Sequence, residues 1–308
     1  MGRQGNLEEL WCLRMPEIIT PIITPFTKDN RIDKEKLKIH AENLIRKGID
    51  KLFVNGTTGL GPSLSPEEKL ENLKAVYDVT NKIIFQVGGL NLDDAIRLAK
   101  LSKDFDIVGI ASYAPYYYPR MSEKHLVKYF KTLCEVSPHP VYLYNYPTAT
   151  GKDIDAKVAK EIGCFTGVKD TIENIIHTLD YKRLNPNMLV YSGSDMLIAT
   201  VASTGLDGNV AAGSNYLPEV TVTIKKLAME RKIDEALKLQ FLHDEVIEAS
   251  RIFGSLSSNY VLTKYFQGYD LGYPRPPIFP LDDEEERQLI KKVEGIRAKL
   301  VELKILKE

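Results

Sequence analysis

Apolar runs alternate with amphipathic stretches along the first two-thirds of the chain. Mainly apolar runs at 18–24, 51–55, 83–87, 107–112, 141–144, 166–169, 188–192 and 208–211 predict eight strands. Stretches of helical period at 34–47, 65–81, 93–103, 122–136, 155–162, 172–184 and 195–204 follow the first seven strands, and another helix opens at Pro218. In the first helix Leu37, Ala41, Leu44 and Ile45 share a face behind a capping Asp33, and Gly48 ends it. The second begins with Ser65 as N-cap, Pro66 in the first turn and Glu68 at the third position.

The strand runs are mainly apolar rather than alternating, as in parallel strands covered on their outer side. Eight strand-then-helix units in succession predict an α/β fold, a closed (β/α)8 TIM barrel. The rival is an open doubly wound sheet, which usually carries a glycine fingerprint after its first strand. Here that stretch reads TPFTKDNR, without glycine. Beyond 217 only helices are expected, over 218–229, 233–253 and 257–267, then a stiff PRPPIFPL connection. A closing helix over 282–306 carries Ile290, Val293, Ile296, Leu300 and Leu303 as its apolar stripe. The expected organisation is an N-terminal extension outside the fold at 1–15, a barrel catalytic domain at 16–217 and a C-terminal helical domain at 218–308.

Composition narrows the class. Apolar residues make up 44% of the chain, and the formal net charge is −1, which gives no electrostatic case for nucleic acid or an anionic membrane. No apolar run reaches the roughly 18–20 residues of a membrane span, and 1–14 lack the apolar core of a secretory signal. Cys12, Cys134 and Cys164 are too few and too scattered for a disulfide framework, so reduced thiols in a cytoplasmic protein are expected. The five histidines show no ligand spacing, so no metal is expected; the Schiff-base chemistry considered below needs no other cofactor.

In such a barrel the active site lies at the C-terminal strand ends. That rule selects Gly56-Thr57-Thr58-Gly59, Tyr113 to Arg120, Tyr144-Asn145-Tyr146-Pro147, Lys169-Asp170-Thr171 and Gly193-Ser194-Asp195. Lys169 and Tyr144 end consecutive strands, which pair about 4.8 Å apart. Alternation puts Tyr142 with Tyr144, and Gly167 with Lys169, on shared faces. A buried lysine loses its proton more easily and attacks a carbonyl to form a Schiff base. A tyrosine moves the proton, best of all with its pKa lowered by a nearby cation. GTTG offers hydroxyls and open backbone N–H groups to a carboxylate. Each feature also has a plain structural alternative: a lysine snorkelling to water, a turn that merely needs glycine, aromatic packing around Tyr117, and solvated or salt-bridged Arg120 and Arg251.

Four motifs in order resemble the pyruvate-dependent Schiff-base aldolase family, which includes N-acetylneuraminate lyase and dihydrodipicolinate synthase. They are GTTG at 56–59, YNYP at 144–147, GVKD at 167–170 and GSD at 193–195. Two departures, Leu60-Gly61 in place of a common glutamate and Thr148 in place of the synthase's arginine, bring it nearest to the archaeal 2-keto-3-deoxygluconate aldolase branch.

The resemblance implies that Lys169 forms the Schiff base with pyruvate and that Tyr144 shuttles the proton. It gives the carboxylate to Thr57 and Thr58, with Thr58 relaying protons to Tyr144. Asn145, Tyr146, Thr171, Gly193 and Asp195 would line the sugar-acid tail, and Arg120, Tyr146 and Arg251 would take a phosphate. A homotetramer is implied, with Tyr117 near a subunit contact. The expected reaction is cleavage of 2-keto-3-deoxygluconate, with its 6-phosphate and C4 epimer as further candidates, to pyruvate and glyceraldehyde or its 3-phosphate. The rivals are a dihydrodipicolinate synthase, a neuraminate-type lyase, a silent sugar-acid sensor and a metal-dependent barrel aldolase.

Overall fold

The computed structural model describes residues 15–118 and 120–307, so the expected extension lies outside the described residues except for Met15. Eight parallel strands close into a barrel: β1 (Glu17–Pro21), β2 (Lys51–Val54), β3 (Ile83–Gln86), β4 (Gly109–Tyr113), β5 (Val141–Asn145), β6 (Phe165–Asp170), β7 (Leu189–Ser192) and β8 (Gly208–Val210). Each pairs with its chain neighbour, and β8 pairs with β1 to complete the ring. The expected (β/α)8 fold is therefore present.

The helices around the ring are α1 (Lys34–Arg46), α2 (Pro66–Tyr77), α3 (Leu92–Leu101), α4 (Glu123–Val136), a short α5 (Pro147–Thr150), α6 (Ala156–Ile162), α7 (Ile175–Leu184), α8 (Ile198–Thr204) and α9 (Pro218–Met229). Local chemistry sets several starts. The Asp33 carboxylate caps α1 through Lys36 N, and Ser65 with Glu68 forms a reciprocal capping box on α2. Since α9 packs on α8 and touches β1, it takes the eighth helical place. The helices beyond α9 form a C-terminal addition.

The addition comprises α10 (Ile233–Ile252), α11 (Ser255–Gln267) and α12 (Asp283–Glu302). The buried stripe of α12 is Leu289, Val293, Ile296 and Leu300. Ile290 sits one residue off that face, and Leu303 lies past the helix end, 57% exposed. The addition grips the barrel mouth: the Tyr260 hydroxyl donates to Thr24 O at 2.7 Å, and Gln240 donates to Asp195 O at 3.0 Å.

Strand alternation divides the core in two. Val168 and Leu143 face outward into the helix layer, whereas Ile19, Phe53, Ile84, Tyr113, Tyr142, Tyr144 and Tyr191 fill the barrel interior. Gly167 makes room for this filling, because a Cβ there would lie 2.6 Å from the Tyr142 ring.

One expectation is overturned. Cys134 of α4 and Cys164, just before β6, form a disulfide across a separation of 30 residues. The spacing carries no sign of this, because it is the packing of α4 beside α6 and on Phe165 of β6 that brings the two cysteines together. The cysteine count therefore no longer speaks for a reducing compartment. Cys12 lies outside the described residues. Among the described residues no helix is long and apolar enough to cross a membrane.

Candidate active site

Lys169 is held at the barrel mouth by both neighbours of β6, in register with Tyr144 on β5 and Tyr191 on β7. It is only 7% exposed. Its Nζ lies 4.2 Å from the centroid of the Tyr144 ring and 5.0 Å from that of Phe53. Burial lowers the amine to about 8, against a smaller opposing pull from Tyr146 and Asp195. At pH 7 roughly a tenth of it is then neutral, against well under a thousandth for an ordinary lysine. This is an amine able to act as a nucleophile.

The Tyr144 side chain is fully enclosed, and burial pushes its hydroxyl up to about 12. The lowering by a cation that would have favoured it as a base is therefore not found. A hydroxyl in this state keeps its proton and serves best as a donor or as one link of a relay. Its partner is the Thr57 hydroxyl at 3.1 Å. The threonine hydroxyl that meets Tyr144 is thus that of Thr57 and not that of Thr58, because the turn aims the first of the two at the tyrosine. Thr58 is buried next to it.

The GTTG loop is braced from behind. Asn72 donates to both Thr24 Oγ1 and Asn55 Oδ1, and the Thr24 hydroxyl donates to Gly59 O at 2.7 Å. Gly61 is required here, since a Cβ would fall 1.8 Å from Asn55 O. Leu60 stands in the left-handed region at φ 55°.

Tyr146 is half-buried and stacks on Tyr144, with ring centroids 5.9 Å apart and planes 18° from parallel. Thr171 donates its hydroxyl to Asn145 O at 2.8 Å. Gly193 is close-packed against it, where a Cβ would lie 2.6 Å from Thr171 Cγ2. The Asp195 carboxylate accepts from Gly213 N at 2.7 Å and Ala212 N at 3.2 Å, and burial raises its pKa. Tyr144, Tyr146, Lys169, Thr171, Gly193 and Asp195 thus ring one mouth, with Thr57 on its opposite edge.

Asn145 does not belong to that ring. It follows the inward Tyr144, so its side chain turns out of the barrel and donates to Asp153 and Asp170. Arg251 reaches the rim from α10, ion-paired with Glu173 at 2.7 Å. Arg120 is exposed on the loop after β4, near Tyr117, which is 80% exposed. Phe53 was not singled out from the sequence, because an apolar strand residue carries no chemical signature. It packs edge-on against Tyr144 at 5.3 Å and forms the floor beneath the amine.

A buried low-pKa lysine beside a proton-holding tyrosine, at a barrel mouth with a threonine loop opposite, defines a carbon–carbon lyase of the Schiff-base aldolase class. The dihydrodipicolinate synthetase family model matches residues 14–296, and the chain belongs to that family. It is 54% identical over 285 residues to the 2-dehydro-3-deoxy-phosphogluconate/2-dehydro-3-deoxy-6-phosphogalactonate aldolase of Sulfurisphaera tokodaii, covering 92% of this chain and 98% of that one. It is 47% identical over 273 residues to the 2-dehydro-3-deoxy-D-gluconate/2-dehydro-3-deoxy-phosphogluconate aldolase of Thermoproteus tenax, covering 89% of each. Among solved structures it is similar to a substituted variant of the Sulfolobus solfataricus 2-keto-3-deoxygluconate aldolase in complex with L-2-keto, 3-deoxy-galactonate. That likeness has a TM-score of 0.95 at 99% identity, over 95% of this chain and 100% of the other.

Proposed function

We propose that the chain is an aldolase that reversibly cleaves 2-keto-3-deoxygluconate to pyruvate and glyceraldehyde through an imine on Lys169. The neutral amine attacks C2 of the keto acid, and water leaves. The protonated imine draws the electron pair of the C3–C4 bond as that bond breaks. The C4 hydroxyl becomes the aldehyde carbonyl, and its proton leaves along the Tyr144–Thr57 hydrogen bond. The enamine then takes up a proton at C3, so none is gained or lost overall. Water hydrolyses the imine, releasing pyruvate and free Lys169.

Thr57 and Thr58 hold the pyruvate carboxylate in this reading. Tyr146, Thr171, Gly193 and Asp195 face the hydroxylated tail. Arg120 and Arg251 at the rim serve the 6-phosphate, once Arg251 exchanges Glu173 for it. The exposed Tyr117 and Tyr118 are the seed of a subunit contact in a homotetramer. The enzyme works in the cytoplasm on small molecules.

The observation that carries the reading is the enclosed Lys169 amine lying over the Tyr144 ring, with the Tyr144 hydroxyl bound to Thr57. The names of the two aldolase relatives support the substrate. The test is to condense pyruvate with glyceraldehyde, glyceraldehyde 3-phosphate, aspartate semialdehyde and N-acetylmannosamine, identifying each product. Turnover confined to the first two supports the proposal. Turnover confined to aspartate semialdehyde or N-acetylmannosamine replaces it with a synthase or a neuraminate lyase, and none at all with a sensor.

A further inference from the structure

Beside the mouth lies a polar cluster that the reaction does not use. Asp170 follows Lys169 and points the opposite way, out of the barrel and fully buried. It accepts from Thr178 Oγ1 at 2.8 Å and Asn145 Nδ2 at 3.1 Å, and it meets His177 Nδ1 at 2.9 Å. The other ring nitrogen of His177 lies 3.2 Å from Asp153 Oδ2. Each ring nitrogen thus faces a carboxylate oxygen, and the ring can donate to both of them as an imidazolium. The hydrogen bond to Asp170 is the main cause raising it to about 9.

This cluster holds one segment from both sides. Residues 145–154, between β5 and α6, carry Tyr146 at the mouth, stacked on Tyr144. Asn145 anchors one end by donating to Asp170, and it accepts from Ile154 N at 3.0 Å near the other. Tyr181, edge-on beneath the His177 ring at 5.6 Å, donates its hydroxyl to Ile154 O. Asp153 is the end that His177 grips.

We propose that His177 is a positioning residue, a clamp that ties Asp153 to Asp170 and so fixes Tyr146 against Tyr144, facing the aldehyde half of the substrate. The role in catalysis rests on the aldolase reading; the clamp itself does not. The charged groups facing the ring are Asp170 from β6 and Asp153 from the loop before α6, with the Tyr181 phenol below it on α7. The clamp is therefore whole at neutral pH and opens as the pH rises through about 9.

The test compares His177→Gln, Asp153→Asn and the double variant with the wild type. Asp153 is 42% exposed, so its variant probes the clamp even if His177→Gln folds poorly. Each single variant should raise KM for the keto sugar acid on the order of fivefold to tenfold, with trapping of pyruvate at wild-type yield. The double variant should be no worse than either single one. Wild-type KM should climb above about pH 9, and that climb should be absent in His177→Gln. Independently of substrate, amides of 146–153 should exchange hydrogen faster in both single variants. Unchanged exchange overturns the clamp. Faster exchange with unchanged KM, or additive effects, overturns its role in positioning. A wild type that neither traps pyruvate nor cleaves the sugar acid sinks the aldolase reading, while exchange still decides the clamp.

Discussion

Replacing Lys169 by Met should abolish turnover and leave the protein more stable at neutral pH. Lys169 is 7% exposed, and burial lowers its amine from 10.5 to about 8. At about 1.4 kcal/mol per tenfold change in proton affinity, keeping the ammonium there at pH 7 costs about 3 kcal/mol. Two rings offset part of this, since Nζ lies 4.2 Å from the Tyr144 centroid and 5.0 Å from that of Phe53. Such contacts return about 1–2 kcal/mol together in a desolvated site. Methionine keeps the length without the charge, so a net gain of about 1–2 kcal/mol is expected. The folded protein binds this proton less tightly than the unfolded chain does. The penalty is thus full below pH 8 and fades as the pH rises to 10.5. Guanidinium unfolding of both proteins at neutral pH and at about pH 10 measures it. A variant less stable than wild type at neutral pH, or a gain undiminished at the higher pH, would show that the buried ammonium carries no such cost.

Tyr144→Phe should lower kcat for cleavage by about 10²–10⁴ while pyruvate is still trapped, and a kcat within tenfold of wild type would remove Tyr144 from proton transfer. Gly61→Ala drives a Cβ to 1.8 Å from Asn55 O, so the threonine loop must shift. Its expected signature is a higher KM for pyruvate and a loss of about 1–3 kcal/mol on unfolding, against no change if the loop is slack. Cys134→Ser opens a disulfide across 30 residues, which should cost about 3–4 kcal/mol on the loop-entropy estimate. An unfolding midpoint equal to wild type under oxidising conditions would show that the bond does not form.

The barrel was legible because its signal is repetitive. Eight apolar runs at strand length, separated by capped helices, leave few topologies that bury them all. The lysine and tyrosine were legible because strand ends in a barrel converge on one mouth. Finer features depend on orientation, which neighbouring residue types do not reveal. Asn145 faces away from the pocket because Tyr144 before it faces in. Thr57 rather than Thr58 meets Tyr144 because of the particular path of the turn. The upward shift of Tyr144 comes from enclosure by the rings of Phe53 on β2, Tyr113 on β4 and Tyr146 just after β5, and the Cys134–Cys164 bond from the packing of α4 on the start of β6. Both need the assembled fold. His177 was passed over as an isolated histidine, because its two carboxylates lie 7 and 24 positions away in the chain.

In the proposed mechanism one amine, Lys169, forms the imine. The direct measurement is borohydride reduction with pyruvate, followed by peptide mapping by mass. Lys69 is an internal control: it too is buried, with its amine lowered by burial to about 8, but it donates to Gly88 O at 3.0 Å, on α2 and outside the mouth. The result expected is a single reduced-pyruvate adduct on Lys169, lost in Lys169→Met. An adduct on Lys69, or one that survives in Lys169→Met, would contradict the mechanism.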